Sequence, residues 1–240
     1  MKTITAAATH RGAVRELNED AVLSLQAEGL WAVADGMGGH DAGDVASAGV
    51  VETLSRMQLA DTFETSLANL QTLIQIANRA LLEASDETPR HRQPGTTIAA
   101  LLIQGEEGAV TWAGDSRVYR FRNGELEQLT RDHSQVQDLV DQGLVDPADA
   151  ELHPMAHVIT RAIGFDEPAR LETRRLSIRP GDRFLLCSDG LIRVVEEQEI
   201  AEFMALTSPE TRAPALVDLT LERGAPDNVT VVCVDCPAKG

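Results

Sequence analysis

Three short apolar runs in this chain end on an aspartate, and a fourth starts from one. Leu30-Trp-Ala-Val-Ala closes on Asp35, Ala109-Val-Thr-Trp-Ala-Gly on Asp115, and Arg183-Phe-Leu-Leu-Cys-Ser on Asp189; Asp227-Asn instead precedes Val229-Thr-Val-Val-Cys-Val. Runs of this length between Gly, Asn and Asp read as buried strands rather than helices. Further strands are expected at Ile4–Thr9, Ala21–Gln26, Thr97–Ile103, Arg117–Arg122 and Leu171–Ile178, and Asn123-Gly124 is a tight-turn signal returning the chain into Glu125–Leu129. Helical spacing puts Ala46, Val50, Leu54 and Met57 on one face, and Leu67, Leu70, Ile74, Ala77 and Leu81 on another. Shorter helices are expected near Gln135–Gln142, Glu197–Leu206 and Pro209–Arg223. Strands in runs, a helix pair inserted and helices late argue for an α+β fold with antiparallel sheets, against repeated βαβ units.

Composition narrows what such a fold can do. Hydrophobic residues make up 43% of the 240 but aromatics only 3%, so the core is built from Val, Leu, Ile and Ala. With 21 basic against 38 acidic residues the net charge is −17, a field that repels nucleic-acid phosphates and anionic lipid. Neither is therefore an expected partner. No apolar stretch approaches the roughly 20 residues of a membrane span, and the first residues lack the apolar segment of a signal peptide. No repeat or Gly/Ser linker divides the chain, which reads as one domain over residues 1–240. Cys233 and Cys236 form a Cys-x-x-Cys inside a strand, where residues three apart face opposite ways and neither chelate nor pair easily. Three thiols suit a reducing cytoplasm.

The strand expectations can be used to locate the acidic residues. Asp20 opens a strand joined by a short connection to the one ending at Asp35, and a hairpin there sets Asp20 opposite Asp35 and Gly36. An antiparallel strand starting after Asp227 brings that carboxylate to the sheet edge where Asp35, Asp115 and Asp189 finish. Crowded carboxylates stay ionised together only with cations among them, and hard oxygen ligands favour Mg²⁺, Mn²⁺ or Ca²⁺ over zinc. A single Asp at a strand end is ordinary turn chemistry. The set asks for more.

At this point the chain resembles the metal-dependent protein phosphatases, the type 2C or PPM family, and especially their compact bacterial members. Eight blocks run in the family's order, from Arg15-Glu-Leu-Asn-Glu19-Asp20 and Asp35-Gly-Met-Gly-Gly39 through Gly95-Thr-Thr97, Gly114-Asp-Ser-Arg117 and Leu129-Thr-Arg-Asp-His-Ser134 to Thr160-Arg-Ala-Ile-Gly164, Cys187-Ser-Asp-Gly-Leu191 and Pro226-Asp-Asn228. The resemblance implies a central sandwich of two antiparallel β-sheets flanked by helix pairs, with metals at one edge. It implies hydrolysis of phosphoserine and phosphothreonine in proteins by a metal-activated water, using two Mn²⁺ or Mg²⁺ ions. Asp35 would bridge both ions, the Gly36 carbonyl would complete the first site, and Asp189 and Asp227 would hold the second. Glu19 and Asp20 would act through bound waters, and Asp115 on a weaker third ion. Arg15 would hold the substrate phosphate, a task suited to a planar guanidinium with paired donors. Asp35 and Arg15 are thus the candidate catalytic residues.

Two positions depart from the family pattern. Met37 stands where eukaryotic relatives often carry a proton-donating His, leaving His40 as a candidate for substrate contact or leaving-group help. Arg193 stands four residues after Asp189, where many relatives place an Asp for the third ion. It can face the cleft or point to solvent. Residues 135–159 fall where the family has a variable flap, expected to tune substrate choice. His133 reads as structural. The resemblance also implies phosphoprotein partners, among them a Hanks-type Ser/Thr kinase, for a cytoplasmic monomer. The alternatives are a non-catalytic phosphatase-like docking module, a receiver-type phosphoacceptor or another two-metal phosphoesterase. The retained Asp35, Asp189 and Asp227 oppose the first. Chain length and strand order oppose the second, and the acidic charge opposes a nuclease.

Overall fold

The computed structural model describes residues 2–38, 42–86, 93–206 and 208–237. In chain order the strands are β1 Ile4–His10, β2 Asp20–Leu25, β3 Leu30–Met37, β4 Gly95–Thr96, β5 Ile98–Gln104, β6 Glu107–Ala113, β7 Arg117–Arg122, β8 Glu125–Gln128, β9 Glu172–Ser177, β10 Arg183–Cys187 and β11 Val229–Asp235. The helices are α1 Gly43–Leu54, α2 Phe63–Asp86, α3 Gln135–Asp141, α4 Asp189–Ile192, α5 Glu197–Ala205 and α6 Pro209–Glu222. Short 3₁₀ turns cover Gln26–Glu28 and Pro147–Leu152.

The strands form two sheets with every pairing antiparallel. One runs β1-β11-β10-β7-β8; the other runs β2-β3-β5-β6-β9, with β4 added beside β3. Alternation along each strand sends successive side chains to opposite faces. In β3, Trp31 and Val33 enter a core between the sheets, together with Leu101, Trp112, Phe184 and Val232. Leu30, Ala32 and Ala34 face the other way, onto Val50 and Leu54 of α1 and Leu70 and Ile74 of α2. On the far side Leu185, Val231 and Cys233 pack against Ile200 of α5 and Leu216 of α6. The order is helix pair, sheet, sheet, helix pair. Burial on both faces explains why these antiparallel strands read as continuous apolar runs. Each large aliphatic side chain so buried contributes about 1.5–3 kcal/mol.

The expected architecture is therefore present, and its local signals hold. Asn123 and Gly124 have φ of 55° and 88°, the left-handed pair that a two-residue hairpin turn demands. Cys233 faces the α5/α6 layer while Cys236 faces the inter-sheet core, and all three thiols are free and buried. Boundaries move by one to three residues. Strand β3 continues past Asp35 to Met37 because Gly36 and Met37 pair with Thr96 and Gly95 of β4. Neither β4, two residues long, nor α4, four residues long, has an expectation in the sequence.

Candidate metal centre

At one edge of the sandwich lies a cleft of about 280 Å³, and the acidic strand ends converge on it. Asp20 and Asp35 sit directly opposite each other in the β2–β3 register, as a hairpin requires. Asp35, Asp115, Asp189, Asp227 and Glu19 line the cleft, while Asp20 is buried beside it. Gly36 lines the same cleft. Glycine is required here. A Cβ at Gly36 would lie 2.0 Å from the Gly43 carbonyl oxygen and 2.6 Å from that of Glu19. This close approach lets the start of α1 and the Glu19 loop press on β3.

The remaining motif residues hold this constellation in shape. Thr97 Oγ1 accepts the Asp35 amide at 2.9 Å and pairs with Ser116 Oγ at 2.7 Å, so the Gly95–Thr97 and Gly114–Arg117 blocks are locked together. Ser188 Oγ donates to Asp20 Oδ2 at 2.8 Å and accepts the Thr230 amide at 2.9 Å. Asn228 accepts the Glu19 amide through Oδ1 at 2.8 Å and donates through Nδ2 to the carbonyls of Arg11 and Leu17, each at 2.8 Å. That single side chain anchors the loop carrying Arg15 to the start of β11. Asp132 takes a bidentate grip on Arg117, with contacts of 3.0 and 2.7 Å. His133 stacks on Trp112 with centroids 6.0 Å apart and its Nδ1 accepts the Gly114 amide, which precedes Asp115. The structural reading of His133 fits these contacts.

Electrostatics divides the carboxylates. Burial, reinforced by Asp20, Asp189, Asp115 and Asp227, holds the Asp35 carboxyl well above its ordinary range. Burial pushes Asp20 up to about 7 despite hydrogen bonds from Thr230 and Ser188, and pushes Asp115, beside Asp189 and Asp132, up to about 8. Asp189 is also raised by burial, but Arg193 opposes the shift. Arg193 points into the cleft rather than to solvent. Its Nη1 donates to Asp227 Oδ2 at 2.7 Å and its Nη2 to Asp189 Oδ2. Arg15, half exposed, donates to the same Asp227 oxygen at 2.8 Å.

With these arginines in place, no group of three His, Cys, Asp or Glu side chains among the described residues is set to hold a metal ion as it stands. The donor set nevertheless fits one. It consists of hard carboxylate oxygens, burial raises the affinity of several for a positive charge, and Asp20 Oδ1 and Asp189 Oδ1 are buried with no hydrogen-bond partner. Of the other expected residues, His40 lies outside the described residues. Met37 lines the cleft, as does exposed His157, which comes from the 135–159 segment. His157 carries no sequence signal, because that segment reaches the cleft only through tertiary packing. Thr97, Ser188 and Asn228 lie inside the recognised blocks, yet their holding roles follow from contacts 19 to 217 residues apart in sequence.

A two-layer sandwich with an acidic cleft at its edge and an arginine at the rim defines a class of site, one suited to hard cations beside an anionic group. Comparison narrows it. Residues 8–220 match the family model for protein phosphatase 2C, and the chain belongs to that family. It is 40% identical over 230 residues to the serine/threonine protein phosphatase PstP of Mycobacterium tuberculosis, covering 96% of this chain and 44% of that protein. The chain thus spans somewhat under half the length of that relative. Among solved structures it is similar to PppA, described as a key regulatory component of T6SS in Pseudomonas aeruginosa, with a TM-score of 0.90, 40% identity and 98% of each chain covered. It is also similar to the catalytic domain of PstP in complex with two manganese ions, with a TM-score of 0.86, 38% identity and 97% of each chain covered.

Proposed function

We propose that this chain is a metal-dependent protein serine/threonine phosphatase and that the acidic cleft is its active centre. The observation that carries the reading is the convergence of Glu19, Asp35, Asp115, Asp189 and Asp227 with Arg15 on one cleft, in a member of the protein phosphatase 2C family. The reaction is transfer of a phosphoryl group from a serine or threonine oxygen to water, breaking the P–O bond to the side chain and yielding inorganic phosphate. Asp35, the Gly36 carbonyl, Asp189 and Asp227 would hold Mn²⁺ or Mg²⁺, which would supply Lewis acidity, lowering the pKa of water and offsetting charge on the phosphoryl oxygens. Glu19 and Asp20 would support that set through bound water, and Asp115 would serve a weaker third ion.

The protein's own groups orient the ester. Arg15 reaches the cleft from a loop anchored by Asn228, and its free donors suit a phosphate in a paired, charge-assisted contact. Thr97 and Ser116 fix the Asp35 backbone so that its carboxylate keeps one orientation. Met37 has no proton to give, so the leaving alkoxide takes its proton from water; His40 is proposed only as a substrate contact. Residues 135–159 lend Ile159 and His157 to the cleft wall, which supports a role for that segment in selecting the phosphoprotein.

Substrates on this reading are phosphoproteins, including an autophosphorylated Ser/Thr kinase. The chain acts as a cytoplasmic monomer with one catalytic domain. No helix among the described residues is long and apolar enough to cross a membrane. Incubating the chelator-stripped protein with a phosphothreonine peptide, with and without Mn²⁺, tests the core of the proposal. Phosphate release is expected only with the metal. Full activity in the stripped protein, or none with Mn²⁺ or Mg²⁺, would overturn it.

A further inference from the structure

We propose that Arg193 is a built-in counter-cation of the Asp189–Asp227 pair and sets how tightly that side of the centre takes a divalent ion. The inference rests on the reading of those two carboxylates as cation ligands. Arg193 follows α4 and sits four residues after Asp189, its amide bonded to the Asp189 carbonyl at 3.0 Å. Helical geometry therefore keeps its side chain beside that carboxylate. One guanidinium nitrogen reaches Asp189 Oδ2 and the other reaches Asp227 Oδ2 at 2.7 Å, so the fork spans both acids. Only 20% of the side chain is exposed, and contacts this dry are screened far less than surface pairs.

Charge makes the contact competitive. Asp189 and Asp227 carry two negative charges, and Arg193 with Arg15 brings two positive ones to the same atoms. A divalent ion entering between the acids doubles the local positive charge unless a guanidinium withdraws. Arg193 is built to be displaced. Its Nε is buried without a partner, and Asp189 Oδ1 is likewise unpaired, leaving one oxygen facing no donor. Arg15 is the weaker competitor, since half of its side chain is in solvent and it touches Asp227 alone. Occupancy of the Asp189–Asp227 side thus costs the loss of a buried two-point contact. In the absence of metal that same contact offsets repulsion that would otherwise open the cleft.

Titration calorimetry with MnCl₂ on the chelator-stripped full chain tests this, combined with thermal unfolding of the same metal-free samples. Arg193→Gln should bind the weaker Mn²⁺ ion roughly tenfold more tightly than the parent, about the worth of one charge-assisted contact. It should also unfold at a lower temperature without metal. Arg193→Lys, which keeps the charge but loses the fork, should fall between the two, and it carries the test if the Gln variant does not fold metal-free. Arg15→Ala should change the affinity by less. Equal or weaker Mn²⁺ binding by a folded Arg193→Gln or Arg193→Lys variant would overturn the inference while leaving the phosphatase reading intact. A parent protein that binds no Mn²⁺ would overturn both.

Discussion

The two walls of the cleft solve the same electrostatic problem differently. On one wall, Asp20 and Asp35 of β2 and β3 and Asp115 just after β6 have no guanidinium bonded to them among the described residues: the Ser188 hydroxyl bonds the Asp20 carboxylate and Thr97 the Asp35 amide. On the other, Asp189 and Asp227 from the ends of β10 and β11 are held by guanidinium groups. The first wall is shaped but uncompensated, and its carboxyls are raised by burial. The second is partly compensated before any cation arrives: burial still raises Asp189, but Arg193 opposes the shift. A carboxylate cluster is thus not one unit: geometry is preset on one side, charge on the other.

The largest effect that would break the comparison is at Asp35. Asp35→Asn should reduce turnover to background, a loss of more than ~4 kcal/mol in transition-state stabilisation. The same change should raise the unfolding temperature of the metal-free protein, because it removes a carboxyl whose ionisation the buried, uncompensated wall opposes. Asp189→Asn should have the opposite effect on metal-free stability, lowering it by about 2 kcal/mol by leaving Arg193 short of a partner. If both substitutions shifted the metal-free unfolding temperature in the same direction, the distinction between the walls would fail.

The pH dependence of the stripped protein comes next. In the fold Asp20 keeps its proton up to about pH 7 and Asp115 up to about pH 8, whereas both ionise near pH 4 once unfolded. The folded state therefore binds more protons between those limits. Stability should be greatest below about pH 4, as far as these two groups decide it, and should fall as pH rises to about 8. Saturating Mn²⁺ should flatten that slope. Unfolding temperatures recorded across the range with and without the ion provide the check, and a metal-free profile that rises through this window would contradict the assignment.

Smaller effects sharpen the picture at single contacts. Arg15→Ala should cost about 2–3 kcal/mol in kcat/KM through a higher KM, with Mn²⁺ affinity near that of the parent. Kinetics identical to the parent would reduce Arg15 to a surface ion pair with Asp227. Ser188→Ala removes a donor to Asp20 and the acceptor for the Thr230 amide, and should cost about 1 kcal/mol of stability in urea titrations. A neutral result there would mean that the Ser188 hydroxyl does not hold Asp20 in place.

The elements legible in the sequence are those whose physics is local. Short continuous apolar runs between turn residues located β3, β5 and β11, and the two-residue turn at Asn123-Gly124 set the β7–β8 register. The opposition of Asp20 and Asp35 followed from a short connection between two alternating runs, because a hairpin leaves little freedom in register. Eight motif blocks identified the family and every acid at the cleft. Strand β4 was invisible because two residues carry no period; it exists because Thr96 bonds both Asp35 and Ile163 across the fold. Helix α4 is one turn, seated on the start of β11 where Gly190 meets the Asn228 carbonyl.

Pattern and motif alone thus gave the antiparallel α+β class, the strands along the chain and, through the family resemblance, the sandwich and the residue types at the cleft, since apolar runs, turns and metal-ligand chemistry are properties of short segments. Which groups neutralise those acids was decided only in three dimensions. Arg193 could equally have faced solvent by its sequence position, and His157 and Asn228 carried no sign of where their side chains would go. Their places depend on contacts between residues far apart in the chain, and on the balance between burying a guanidinium and leaving two buried carboxylates unpaired.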